Sequence, residues 1–190
     1  MHASVMAWVG RVLTQADING KTVLEVGAYN VNGTVRPLVE ALSPASYLGV
    51  DQTAGPGVDQ VVDAERLGST FGPDSFDVVI STEMLEHAAD WRACLLGMVG
   101  VLRPGGLLLL TTRSPGFPYH PFPDDHWRFT AAAMTSILPA AGLAAFEVRS
   151  DPDAASPGVL VRARKNVPWQ PDRAALEQVQ VELAPASPAG

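Results

Sequence analysis

The chain has 190 residues, 47% of them hydrophobic and 17% charged, a composition that supports one buried core and excludes a disordered chain. A formal net charge of −7 argues against a protein that grips nucleic acid by its phosphates, and the single cysteine, Cys94, excludes a disulfide framework. No apolar run approaches the roughly 18 residues of a membrane span, and no basic segment precedes an apolar one at the N-terminus. A cytoplasmic protein with no membrane partner is expected.

Val5, Trp8, Val9, Val12 and Ala16 recur at helical spacing and predict an amphipathic helix over 3–17, ended by Ile18-Asn19-Gly20. Residues 21–27 are short, apolar and β-branched, and read as a buried parallel strand. A helix follows over 34–42, with Pro37 tolerated in its first turn. Strands are predicted over 47–51 and 59–63, each ending in an acid, and a fourth over 76–81. Asp90 suits the cap of a helix running to about Leu102, which Arg103-Pro104-Gly105-Gly106 stops. Residues 107–112 form the most apolar strand, expected at the centre of the sheet. Thr130 caps a helix over 131–141, and strands over 146–149 and 159–163 make a closing antiparallel hairpin.

Strands alternating with helices define an α/β fold with an open, mostly parallel sheet and helices on both faces. One domain is expected over 1–165. Residues 166–190 form an extension with a linker over 167–171, a short helix over 172–183, and a disordered composition over 184–190.

In such a sheet ligands bind beyond the carboxyl ends of the strands, where the strand order reverses. Those ends carry Glu25 to Asn30, then Asp51, Asp63-Ala64, and Ser81-Thr82-Glu83. A nicotinamide dinucleotide needs a glycine-rich turn for its pyrophosphate, and beyond Gly27 the required glycine places hold Tyr29 and Asn32. Carboxylates suit S-adenosylmethionine better, because its ammonium, sulfonium and ribose hydroxyls are met by charge and by hydrogen-bond acceptors.

The ordered segments Val23-Leu24-Glu25-Val26-Gly27, Leu48-Gly49-Val50-Asp51, Asp63-Ala64, Phe76 to Ser81, Glu83-Met84-Leu85-Glu86-His87 and Leu102 to Leu110 carry a resemblance. Together they resemble the motifs of class I S-adenosylmethionine-dependent methyltransferases, closest to the methyltransferase type 11 group, over residues 21 to about 150. The resemblance implies a Rossmann-like seven-stranded sheet and S-adenosylmethionine as cofactor. It further implies that Gly27 lets the backbone approach the cofactor and that Glu25 orders the loop beside the ammonium. Asp51 would take the ribose hydroxyls, Asp63 and Ala64 would lie at the adenine edge, and Ser81 and Glu83 would lie under the sulfonium. Tyr29 and Val31 occupy the second and third glycine places of the family's first loop; Tyr29 is counted among the cofactor contacts by that position, and His2 has no assigned role.

Residues 114–129 form a long loop dense in proline, aromatics and titratable groups, and are expected to wall the acceptor pocket. Tyr119, Asp124, Asp125, Trp127 and Arg128 are its candidate acceptor contacts. His87, His120 and His126 are candidate general bases, since imidazole titrates near neutrality. Each has a plainer reading. His87 can pack beside the helix that follows, and His120 and His126 can brace the loop. Trp127 can anchor it, and Arg128 can pair with Asp124 or Asp125. His120, Asp124, Asp125 and His126 could offer oxygen and nitrogen ligands, but no ligand spacing supports a metal set and no metal is expected.

The expected activity is methylation of an oxygen or nitrogen on a small-molecule acceptor. The alternatives are a non-catalytic S-adenosylmethionine-binding module and a nicotinamide-dependent oxidoreductase. Trp8 and the apolar face of the first helix are left with two readings, a cover over the cofactor or the surface of a homodimer.

Overall fold

A computed structural model describes residues 2–186. Thr22–Val26 (β1), Ser46–Asp51 (β2), Gln60–Val61 (β3), Phe76–Thr82 (β4) and Leu102–Arg113 (β5) pair in parallel. After the two-residue strand Trp127–Arg128 (β6), the strands Leu143–Ser150 (β7) and Gly158–Lys165 (β8) form an antiparallel hairpin that joins the sheet through β8. The order is β3-β2-β1-β4-β5-β8-β7, seven strands, as the resemblance implied. β4 is the middle strand and the most apolar strand, β5, is its neighbour.

Both faces are covered, and side-chain alternation divides them. Val23, Val78, Ile80, Leu107, Leu109 and Leu160 pack on the side of Ala3–Val12 (α1) and Arg36–Glu40 (α3). Leu24, Val26, Val79, Leu108, Leu110 and Val161 pack on the side of Leu67–Phe71 (α4), Trp91–Val101 (α5) and Ala131–Ala140 (α6). The caps expected from the sequence are present: Asp90 accepts from Arg92 N and Ala93 N, and Thr130 from Ala133 N.

Several expectations need correction. The first helix breaks at Leu13, because Thr14 and Asp17 form a reciprocal capping box that starts a separate turn, Gln15–Ile18 (α2). Gly20 still takes the left-handed conformation, with φ 66°. Residues 102–106 do not interrupt the chain as a loop. Leu102 already pairs with Phe76, and the register then shifts so that Val78 meets Leu107.

Trp8 neither covers the cavity described below nor offers a dimer surface. It is 3% exposed and packs with Val5 and Val9 against the sheet. The tail helix is shorter than expected, Arg173–Gln178 (α7), and is followed by Glu182–Leu183 (β9), which pairs with β6 in a second small sheet. Arg92 fixes this tail by donating to the carbonyls of Leu176 and Val179, and Leu176 is buried. The expected disorder of 184–190 falls largely outside the described residues. Among the described residues no helix is long and apolar enough to cross a membrane.

Candidate active site

The strand order reverses between β1 and β4, and a cavity of about 470 Å³ lies beyond their carboxyl ends. That volume falls within the range of small-molecule sites. Every parallel strand delivers its C-terminal residues to this one edge, so residues far apart in sequence meet there.

One end of the cavity is acidic. Asp51 lines it, its carboxylate oxygens held by Tyr29 N at 3.3 Å and Thr53 N at 3.0 Å, and each oxygen keeps further lone pairs for a ligand. Asp63 caps the turn at Ala64–Arg66 by accepting from Glu65 N. Glu25 sits deeper, 2% exposed, in the row of β1 that faces α1 and α3, and Tyr47 Oη donates to it at 2.5 Å. Burial, partly offset by that hydrogen bond, pushes the Glu25 carboxyl up to about 7. Gly27 has φ 82°, and a Cβ there would lie 2.6 Å from the Met84 Cβ. Glycine is therefore required for contact between the first loop and the turn after β4, a reason not foreseen from the sequence.

The other end is basic and aromatic. His87, His120 and His126 all line it, with the His87 and His120 rings 4.8 Å apart. Glu83, which also lines the cavity, has φ 55°, a conformation rare outside glycine and frequent at functional sites. Its carboxylate forms ion pairs with Arg113 and His2. Arg113 is 1% exposed, donates to Ser156 O, stacks over Phe117, and is brought down to about 10 by burial. Burial, then the Arg113 charge, holds His2 below its ordinary value.

The loop over 114–126 is clamped from within. Arg128, 2% exposed, donates to both oxygens of Asp125 at 2.6 Å and to the carbonyls of Phe117 and Pro118. Burial raises the Asp125 pKa, but Arg128 and the His120 N–H outweigh it and leave the carboxyl below its usual value. At the mouth, Tyr29 meets Phe122 across the cavity with ring centroids 5.6 Å apart.

The cavity thus gathers Glu25, Gly27, Tyr29, Asp51, Asp63, Ala64 and Glu83 of the expected cofactor residues, the three histidines, and Asp124. Ser81 is not among the lining residues. β4 runs one residue further than expected, leaving Ser81 wholly buried inside the sheet. Tyr119, Asp125, Trp127 and Arg128 also lie outside the lining. Asp125 and Arg128 satisfy each other, while the Trp127 indole donates to Ala88 O at 2.8 Å as an anchor. The metal set of His120, Asp124, Asp125 and His126 does not form, because Asp125 is taken by Arg128. His2, Met84 and Arg113 line the cavity without having been singled out. A charged residue closing so apolar a strand was a signal for Arg113; nothing local marked His2.

A seven-stranded sheet in this order, with an acid-lined cavity at its switch point, defines the class I, S-adenosylmethionine-dependent methyltransferase fold. Residues 24–110 match the family model described as a methyltransferase domain of the type 11 group. A phthiotriol/phenolphthiotriol dimycocerosates methyltransferase of Mycobacterium tuberculosis is 42% identical over 108 residues, covering 50% of this chain and 39% of its own. A fatty-acid O-methyltransferase of Mycolicibacterium smegmatis is 30% identical over 114 residues, covering 54% and 41%. The chain therefore spans about two fifths of the length of these curated relatives. Among solved structures, the 1,6-didemethyltoxoflavin-N1-methyltransferase of Burkholderia thailandensis, with bound S-adenosylhomocysteine, superposes with TM-score 0.68 at 17% identity, covering 86% of this chain and 79% of that one.

Proposed function

We propose that the protein transfers a methyl group from S-adenosylmethionine to an oxygen of a small acceptor that carries an apolar chain. One observation carries this reading. A single cavity joins the acidic side chains Asp51, Asp63 and Glu25 to a cluster of three histidines. The carboxylates suit ribose hydroxyls and an ammonium, and the histidines suit a proton to be removed. Both curated relatives described above are methyltransferases, by name of phthiotriol/phenolphthiotriol dimycocerosates and of a fatty acid. Val31 and Phe122 line the cavity while 59% and 49% exposed, an apolar rim that fits such a chain.

S-adenosylmethionine, when bound, supplies an electrophilic methyl group. Asp51 would accept hydrogen bonds from the ribose hydroxyls, Asp63 and Ala64 would border the adenine, and Glu25 would meet the ammonium side of the first loop. Tyr29 and Phe122 close the mouth and exclude water. The proton of an acceptor hydroxyl would pass to the imidazole of His126 as that oxygen takes the methyl group. Positioning supplies much of the acceleration in such a displacement.

The test is transfer of label from a tritiated methyl donor to long-chain fatty acids, long-chain alcohols and water-soluble amines. Label in the extracted lipid, lost in an acceptor lacking the hydroxyl, supports the proposal. Label only in amines overturns the choice of acceptor. Binding of the donor with no transfer to any of them supports the non-catalytic module instead.

A further inference from the structure

Glu86, in the turn after β4, is wholly buried beneath the histidine end of the cavity. Its Oε2 accepts from the Thr112 hydroxyl at 2.8 Å, while its buried Oε1 has no hydrogen-bond partner among the described residues. The Nε2 atoms of His87 and His120 lie 4.0 and 3.8 Å from that Oε1, and the donor atoms of the three residues all fall within 4.8 Å of one another.

The outer contacts fix what these atoms present. His87 Nδ1 lies 2.5 Å from the carbonyl oxygen of Asp124. A carbonyl only accepts, so Nδ1 carries the hydrogen and Nε2 turns a lone pair inward. His120 Nδ1 lies 3.1 Å from Asp125 Oδ2, an oxygen that Arg128 keeps ionised, and the same tautomer follows. Two imidazole lone pairs and one carboxylate oxygen then converge with no donor between them. A cation in their midst would meet all three atoms. Separations of 3.8 and 4.0 Å are too long for a shared proton.

A point equidistant from the three atoms lies about 2.5 Å from each, a few tenths of an ångström beyond a zinc–nitrogen bond of ~2.1 Å. Each ring is already oriented by a carbonyl or carboxylate on its far nitrogen, as metal-bound histidines are.

We infer that Glu86, His87 and His120 bind a divalent first-row transition-metal ion, of the zinc type, at the floor of the cavity. Two imidazoles and one carboxylate suit zinc, cobalt or iron(II) rather than magnesium or calcium, which prefer oxygen ligands. His87 and His120 line the cavity, so the ion keeps a position open toward it. There it would hold and polarise an acceptor oxygen. That last role rests on the proposed methyl transfer; binding of the ion does not.

The test uses the whole chain, free of any histidine tag, stripped with a chelator and titrated with zinc. One equivalent is expected, with a rise in melting temperature, and with affinity about 100-fold weaker or worse in H87A, H120A and E86Q. Cobalt replaces zinc in the unsubstituted protein, so the result does not depend on the variants folding. The strong visible absorption of a four- or five-coordinate centre is expected. The weak spectrum of the hydrated ion, no binding of zinc, or binding that persists in all three variants overturns the inference. S-adenosylmethionine is titrated into the same preparations. Donor binding without a metal site overturns this inference alone, and a metal site without donor binding overturns the proposed function alone.

Discussion

Replacing Glu25 with Gln isolates the electrostatics of the acidic end. The carboxyl is 2% exposed and, among the described residues, accepts a hydrogen bond from Tyr47 Oη alone. Burial, reduced by that bond, moves its pKa from 4.5 to about 7. The folded chain therefore binds this proton more tightly than the unfolded chain does. Its contribution to stability is complete below pH 4.5, declines as the pH rises to about 7, and is absent above that. At 1.36 kcal/mol per pKa unit the full decline is about 3 kcal/mol. Glutamine keeps an oxygen for Tyr47 and does not titrate. Glu25→Gln should match the parent near pH 4.5 and exceed it by up to about 3 kcal/mol at pH 8, or roughly 6–12 °C in melting temperature. The same variant should bind S-adenosylmethionine more weakly, since the charge beside the ammonium is gone. Urea denaturation of both proteins at pH 5, 6, 7 and 8 measures the difference. A gap that does not widen with pH refutes the assignment of a buried, proton-holding Glu25.

Gly27→Ala forces a Cβ to 2.6 Å from Met84 Cβ at a positive φ, and should cost about 1–3 kcal/mol and displace the first loop; thermal melts and donor titration read both effects. Asp51→Ala removes the acceptor for the ribose hydroxyls and should weaken donor binding by about 10- to 100-fold in calorimetry, with unchanged affinity removing Asp51 from the site. Arg128→Ala strands the Asp125 carboxylate and two carbonyls, and should cost about 3–5 kcal/mol and open residues 114–126 to proteolysis. Because the Asp125 carboxyl is held below its ordinary value, the clamp's stability is present above pH 3.8 and is lost only as the pH falls through the lower, folded value. Pepsin should leave that loop intact at pH 5 and cut it near pH 2.

The fold was legible because its signals are local and repeated. Short apolar strands, the first three ended by a glycine or an acid, alternate with capped helices, and parallel strands carry those ends to one edge. Glu25, Asp51 and Asp63 could therefore be placed at the cavity from position alone. The break between α1 and α2 was also written locally, as Thr14 and Asp17 three residues apart, but the apolar period across it masked the cap. The pairing of β6 with β9 had no such signal, since two-residue strands carry no pattern. Around the site, what escaped the sequence depended on long-range geometry. His2 and Arg113 are brought together by the docking of α1 on the sheet. Arg128 and Asp125 were expected at the acceptor, yet lie three residues apart and consume each other. Glu86 gains its character only from the two histidines that fold over it.

The central claim is that the cavity beyond β1 and β4 holds S-adenosylmethionine, and calorimetric titration tests it most directly, with S-adenosylhomocysteine and NAD as comparisons. The structure predicts micromolar binding of both sulfur compounds, with NAD giving no heat. Binding of NAD alone, or of none of the three, would contradict it.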